Sequence, residues 1–296
     1  MIDVIAILAR AVALASIIVM AGAVTFHWAV LRRWQAPPAA LRRTWEEVVA
    51  RSGARAAVCL LLVAPARVYL QARSLVVAGD PVLPMMGNVL QTTWGSGWLF
   101  QVVATLNLFI GFSLARRAEA RGWRLAVASA ACATLSPALM GHAIAAERLV
   151  VLSVLTDWVH VAMAGGWVGA LGMLALLSHS RDAGGPEAPI ASLIELFHPV
   201  AFTCSAALVG TGVISLLLRV PHLADLLHSP YGAVLGIKLT LTLGLAALGL
   251  HHARRGAQLV RRGETRRVAK SLAVEAMVAA LVIGATAVLV GTSPPM

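Results

Sequence analysis

The sequence is poor in charge. Only 12% of its 296 residues are Asp, Glu, Lys or Arg, while 59% are hydrophobic. A soluble domain usually carries about 25% charged residues. The shortage argues against an ordinary soluble domain and favours a membrane protein with several spans. The net charge of +11 would indicate a nucleic-acid partner in a soluble protein. Here the arginines lie between apolar runs, which the positive-inside rule explains better, so we predict no nucleic-acid partner.

Cysteine and recognisable catalytic motifs are equally scarce. The three cysteines, Cys59, Cys132 and Cys204, stand alone in apolar segments, and no C-x-x-C occurs. This excludes a disulfide framework and a thiolate metal site as readings of the sequence. There is also no P-loop, no H-E-x-x-H and no activated nucleophile, so we do not predict an enzyme. No linker or soluble segment interrupts the apolar runs, and we expect one integral membrane domain over residues 1–296.

Eight apolar segments come close to the ~20 residues that a helix needs to cross a bilayer. They therefore predict an all-α polytopic membrane bundle of about eight transmembrane helices. Residues 1–23 could instead be a signal peptide, but Asp3 and a late Arg10 make a poor n-region, and we take them as part of a span. The eight segments cover residues 4–31, 53–73, 95–115, 123–142, 149–177, 192–218, 230–251 and 271–291.

The connections between these segments differ sharply in positive charge. Those after the first, third and seventh segments are rich in Arg, whereas the alternate ones are nearly free of it. Since positive loops face the cytoplasm, both termini are predicted to lie outside, on the periplasmic side in a bacterium. The residues that carry this bias are Arg32, Arg33, Arg42, Arg43, Arg51, Arg116, Arg117, Arg121, Arg254, Arg255, Arg261, Arg262, Arg266, Arg267 and Lys270.

The outer side of the predicted bundle carries soft ligands. Imidazole and thioether suit Cu(I), and imidazole also suits Cu(II), whereas a hard cation would need more carboxylates than this chain has. A single histidine at the membrane surface is usually just solvated, and a single methionine usually packs at the interface. Together, however, these residues indicate a copper site. The candidate metal ligands are His142, His160, Met140, Met85, Met86 and Asp157.

Four ionisable residues fall at similar depth inside predicted spans: Arg67, Asp157, His160 and Lys238. A charge at the bilayer centre costs roughly 2.5–3.5 kcal/mol on insertion scales, so it needs a partner or a function. One alternative is a structural ion pair of Asp157 with Lys238 or Arg67. The other is a polar cation path in which Asp157 and His160, one helical turn apart, are transient ligands, flanked by Trp158 and Trp167.

Four stretches of the sequence together resemble the copper-resistance protein D (CopD) family of bacterial inner-membrane proteins. They are residues 93–99, 141–169, 197–199 and 229–238, and the resemblance is densest over residues 92–296. Gln101 departs from the family pattern, which often has Arg there, and His198 replaces a more usual Ser. The resemblance implies copper transport across the inner membrane, in contact with lipid and beside a periplasmic partner of the CopC type. His198, Arg67, Lys238 and Trp167 are further candidates for the path.

Two other functions stay open on the sequence. Imidazoles from two spans can hold a haem, and His27 and His198 fall at matching depth toward the cytoplasmic side, so a b-type haem protein is one alternative. The second alternative is a membrane partner that docks a periplasmic copper carrier without transporting copper. The sequence predicts neither an oligomeric state nor a direction of transport.

Overall fold

The computed structural model describes residues 4–35, 38–77, 79–141, 143–144, 149–179, 188–220, 222–293 and 295. Within these residues the chain forms ten α-helices. They are α1 (Val4–Ala29), α2 (Ala39–Arg73), α3 (Val82–Leu90), α4 (Thr93–Arg116), α5 (Ala120–Met140), α6 (Val150–Ala164), α7 (Ala170–His179), α8 (Ala188–Arg219), α9 (Pro230–Arg261) and α10 (Thr265–Leu289). A π-helical segment, Gly165–Gly169, joins α6 to α7, and 3₁₀ turns lie at Leu31–Arg33 and Leu223–His228.

Among the residues that the structure describes, seven helical segments are long and apolar enough to cross a membrane. The eighth predicted span is α5, whose 21 residues would extend about 31 Å. It is less apolar because it begins with two arginines and buries three hydroxyl side chains, those of Ser129, Thr134 and Ser136. The predicted all-α polytopic bundle is confirmed, and α5 is a further long helix beside those seven.

Local sequence signals set the start of two of these helices. The Thr92 side chain accepts a hydrogen bond from the Gly95 amide at 3.3 Å, and Ser229 accepts one from the Gly232 amide at 3.1 Å. Both are N-caps that satisfy an amide left free by the first helical turn. Pro230 follows Ser229 at the first helical position, where a missing amide proton costs nothing. These caps fix where α4 and α9 begin at one end of the bundle.

The arginine-rich connections lie together at one end of the bundle, here termed the inner end. His27 near the end of α1 stacks on Trp123 at 3.8 Å and lies 3.8 Å from Glu46 near the start of α2. Arg261 at the end of α9 pairs with Glu195 near the start of α8 at 2.6 Å. Because each long helix crosses the bundle, the helix ends that carry Asp157, His160 and Lys238 lie toward the opposite, outer end.

The orientation of the bundle in the membrane stays a prediction. If the inner end faces the cytoplasm, a reporter fused after Met296 should report a periplasmic position, because α10 ends at the outer end. Met296 itself lies outside the described residues. Paired alkaline phosphatase and fluorescent-protein fusions measure this directly. A fluorescent, phosphatase-inactive C-terminus would contradict the orientation, and a fusion in the connection after α4 supplies the opposite control.

The helix α1 and the π-helical segment approach each other at glycine. A Cβ atom at Gly22 would overlap the main chain of Gly169, and one at Gly165 would overlap the Cβ of Ala21. Small residues at i and i+4 let helix backbones come this close in membrane proteins. The contact joins the first helix of the chain to the middle of the fifth span.

Gly22→Ala should therefore destabilise the protein by roughly 1–3 kcal/mol, the usual cost of overpacking. Gly172 is the matched control, because nothing lies within 4 Å of its Cβ position. Gly172→Ala should leave stability unchanged or raise it by about 0.5–1 kcal/mol, because alanine favours the helix more than glycine does. Thermal unfolding of the detergent-purified variants measures both. Equal unfolding midpoints for the two variants would contradict the close contact.

Candidate functional site

Asp157 on α6 forms an ion pair with Arg219, the last residue of α8. Ser215, one turn earlier on α8, donates a hydrogen bond to the other carboxylate oxygen at 3.3 Å. About a quarter of each charged side chain remains exposed. The predicted partners, Lys238 and Arg67, are thus wrong as direct partners of Asp157. Sequence counting placed Arg219 at the edge of its span, where an arginine is ordinary, and so missed it.

His160 lies one turn further toward the inner end and contacts the same helix. Its Nδ1 atom is 2.9 Å from the hydroxyl oxygen of Thr211, and that hydroxyl donates to the Ala207 carbonyl at 2.8 Å. Because the Thr211 proton is used in this way, the imidazole donates from Nδ1 and keeps an unprotonated Nε2. A histidine held like this through one nitrogen is prepared to bind a metal through the other.

Three α8 side chains form the partner surface for Asp157 and His160. Thr211, Ser215 and Arg219 recur every four residues and therefore share one face of α8. This polar spacing is visible in the sequence and could have identified the partner helix. Lys238 on α9 lies within electrostatic range of both His160 and Asp157. We call Asp157, His160, Thr211, Ser215, Arg219 and Lys238 the outer polar group.

Arg67 belongs to a separate cluster formed by α2, α4 and α5. Its guanidinium donates to the side-chain oxygen of Gln101 at 2.5 Å, and Gln101 in turn donates to Ser136 at 2.8 Å. A second guanidinium nitrogen lies 3.9 Å from the sulfur of Met140. The predicted set of four intramembrane groups is therefore divided between two clusters. This contact explains why Gln101 stands where the family pattern often has Arg: an arginine there would place a second guanidinium group beside that of Arg67.

Gln101→Leu should destabilise the protein by roughly 1–3 kcal/mol, because the half-buried Arg67 guanidinium loses its oxygen acceptor. Asn107 on the same helix is the matched control: it is half-buried, and its amide donates an exposed hydrogen bond to the Val103 carbonyl of its own helix. Asn107→Leu should change stability by less than about 0.5 kcal/mol. Chemical unfolding in detergent, followed by tryptophan fluorescence, compares the two variants. An unfolding midpoint that moves more for Asn107→Leu would count against the buried network.

The remaining predicted site residues are dispersed. Met85 and Met86 lie half-buried on the short helix α3 at the outer end, and Trp167 is buried in the π-helical segment. His198 lies on α8 toward the inner end. His142 lies outside the described residues. Of the predicted ligands, the structure brings Asp157 and His160 together in the outer polar group. Among the described residues no group of three or more His, Cys, Asp or Glu could hold a metal.

Trp158 on α6 is hydrogen-bonded to the neighbouring helix α5. Its indole nitrogen donates to the Ala131 carbonyl at 3.0 Å and lies 3.1 Å from the Thr134 hydroxyl, both on α5. These bonds attach α6 to α5, so Trp158 is a structural residue between two spans. The sequence indicated an aromatic residue near Asp157 but could not show which way its ring points.

The inner end holds a pair that sequence reasoning missed. His252 on α9 bonds to Glu275 on α10 through Nδ1, and both side chains are buried, with exposures of 6% and 2%. Neither residue was among the predicted site residues. The doublet His251-His252 at the inner end of an apolar run was the available signal.

The haem alternative gains no support from the geometry. His27 stacks on Trp123, meets Trp28 edge-on at 5.7 Å, and points Nδ1 toward Glu46. His198 instead lies within electrostatic range of Glu195 and His252. The two imidazoles that were predicted to share a haem are thus held in different surroundings, and we do not propose a haem site.

The fold and these clusters define a class: a multi-pass α-helical membrane protein with ionisable side chains inside its spans. Residues 1–150 match the N-terminal domain of copper resistance protein D-like proteins, and residues 191–289 match the copper resistance protein D family. The chain belongs to the copper resistance protein D family. The family assignment confirms the resemblance described above, and it extends to the first 92 residues, where that resemblance was thin.

One curated relative is the copper transport protein CutJ of Bacillus subtilis (strain 168), 26% identical over 170 residues. The alignment covers 56% of this chain and 31% of the relative, so the chain matches about a third of that longer protein. No solved structure matches the chain.

Proposed function

We propose that this protein moves copper across the bacterial cytoplasmic membrane, with the outer polar group as the part of the path that the ion meets within the bilayer. The observation that carries the proposal is His160, an imidazole inside a span whose Nδ1 is fixed by Thr211 and whose Nε2 is free. The family assignment and the name of the curated relative support copper as the ion. Copper is here the cargo.

The charges of the outer polar group favour passage over storage. Arg219 already neutralises Asp157, so an arriving ion meets a neutral pair and one imidazole instead of a free carboxylate. A transport path needs sites that bind well enough for entry and weakly enough for release. Lys238 adds positive charge nearby, which opposes long residence of a cation.

The outer surface would receive the ion from a soluble carrier. Met85 and Met86 on α3 and Met140 at the end of α5 supply thioethers at the outer end, and thioethers suit Cu(I). With His142, they form the capture site in this proposal, beside a periplasmic donor of the CopC type. The Met140 sulfur lies against Arg67, so it would have to leave that contact before it could bind an ion.

The direct test is copper movement by the purified protein in sealed proteoliposomes that enclose a Cu(I)-sensitive dye. Wild-type protein should give a dye response above that of empty vesicles. Stoichiometric copper binding without any movement, combined with capture of copper from a CopC-type donor, would show a docking partner instead of a transporter. A Soret absorption band in the purified protein would overturn the copper proposal in favour of haem.

A further inference from the structure

The C-terminal half of the chain holds a second imidazole group, at the inner end of the same helices that carry the outer polar group. His252 lies fourteen residues after Lys238 on α9, a separation of about 21 Å along the helix. A single helix therefore joins the outer polar group to the buried His252–Glu275 pair. A path that begins at the outer group and follows α9 ends at this pair.

The pairing with Glu275 determines which nitrogen of His252 is available. Nδ1 bonds to the carboxylate, so Nε2 is the atom left to act as a ligand. Histidines that bind metals almost always donate their other ring nitrogen to a carboxylate, carbonyl or water in this way. The carboxylate also supplies a negative charge that would balance a bound Cu(I) ion in a buried setting, where an unpaired charge is costly.

A second imidazole, that of His198 on α8, lies at the same level of the bundle as His252. The Ile194 side chain is 3.6 Å from the Cβ position of Gly256, so these residues of α8 and α9 are at the same level. The two helices run in opposite directions. His198 lies one turn from Ile194 toward the outer end, and His252 lies one turn from Gly256 in the same direction. The two imidazoles are within electrostatic range of each other. Gly256 itself has no side chain to fill the space beside the His252 ring.

We propose that His252 and His198 form a second copper-binding station at the inner end, with Glu275 as the positioning residue for His252. Two imidazoles are enough for Cu(I), which accepts two-coordinate linear complexes, so the station needs no third acidic or histidine ligand. The alternative is a pair that only attaches α9 to α10. The station rests on the proposed copper transport, but its test is a binding measurement that requires no transport.

The test is an anaerobic titration of the purified protein with Cu(I) against a chromophoric chelator such as bicinchoninate. His252→Ala and His198→Ala should each bind one ion fewer than wild type. His251→Ala is the matched control, because His251 is the exposed neighbour of His252 and should bind as wild type does.

Two further variants separate ligand from structural roles. Glu275→Gln should keep the stoichiometry and weaken the inner site about 10–100-fold, the usual effect of removing a group that orients a ligand. His252→Met keeps a soft ligand and should restore the ion lost in His252→Ala. If the folded His252→Ala and His198→Ala proteins bind as many ions as wild type, or if His251→Ala loses as much as they do, the station is overturned.

The binding and transport results can fail separately. Loss of one ion in His252→Ala together with no copper movement by wild-type protein would keep the station and remove the transporter. Copper movement by wild type with unchanged binding in His252→Ala would keep the transporter and remove the station.

Discussion

His160→Ala should reduce copper movement into proteoliposomes to that of empty vesicles while the protein remains folded. The substitution removes the imidazole whose Nε2 is free inside the span, and the residues near it in the outer polar group offer no other nitrogen ligand of this kind. A tenfold loss of affinity corresponds to only about 1.4 kcal/mol, so a loss of more than about tenfold in initial rate is expected from one ligand. Dye response at fixed copper concentration measures it.

Two companion variants sharpen this result. Thr211→Val preserves side-chain volume but removes the oxygen that positions the His160 ring, and should weaken copper binding by roughly 10–100-fold without abolishing it. His228→Ala removes an exposed imidazole from the turn at the same end and should leave transport unchanged. Wild-type rates in a folded His160→Ala protein would refute the proposed path.

Asp157→Asn should destabilise the protein by about 3 kcal/mol, because it leaves the Arg219 guanidinium within the bundle without its counter-charge. Arg219→Met in the same chain should restore stability, since an unpaired charge is removed and an apolar side chain takes its place. Unfolding midpoints in detergent, for both single variants and for the double variant, measure the coupling between the two residues.

The exposed pair of Glu195 with Arg261 provides the control on the same helix, α8. About half of each of these side chains is exposed, and such surface pairs contribute roughly 0–1 kcal/mol. Glu195→Gln should therefore change stability much less than Asp157→Asn. A larger loss in Glu195→Gln, or no rescue by Arg219→Met, would show that the Asp157 pair is not what holds α6 to α8.

Transport by the rescued double variant separates structure from function. If Asp157 and Arg219 only attach α6 to α8, the folded Asp157→Asn/Arg219→Met protein should move copper as wild type does. If Asp157 is part of the path, the same folded protein should be slower.

The spans could be predicted because hydrophobic length is a property of consecutive residues. The partners of Asp157 and Arg67 could not, because they depend on how far each helix is rotated about its own axis. Counting residues from the span ends placed Arg67, Asp157, His160 and Lys238 at one depth in the membrane. Depth alone does not show which neighbouring helix each side chain faces. Arg219 and Gln101 were overlooked for a related reason: one stood at a span end and the other looked like a departure from a family pattern.

The inner pair was missed because sequence reasoning had placed the chemistry at the outer end, where the methionines are. A single buried carboxylate such as Glu275 predicts that some partner exists, but three spans offer histidines at similar depth. Only the packing of α9 against α10 selects His252.

The modest hydrophobicity of α5 has a consequence for how the protein is made. A growing chain enters the bilayer segment by segment, and a segment with Arg121 and Arg124 at its start and hydroxyl groups along its length is a weak candidate for entry alone. Yet α5 packs closely along α4, where Gly111 and Gly122 bring the two backbones together across a connection of only three residues. In that hairpin, Gln101 of α4 donates a hydrogen bond to Ser136 of α5. We therefore expect the fourth span to enter the lipid together with the third, as one hairpin.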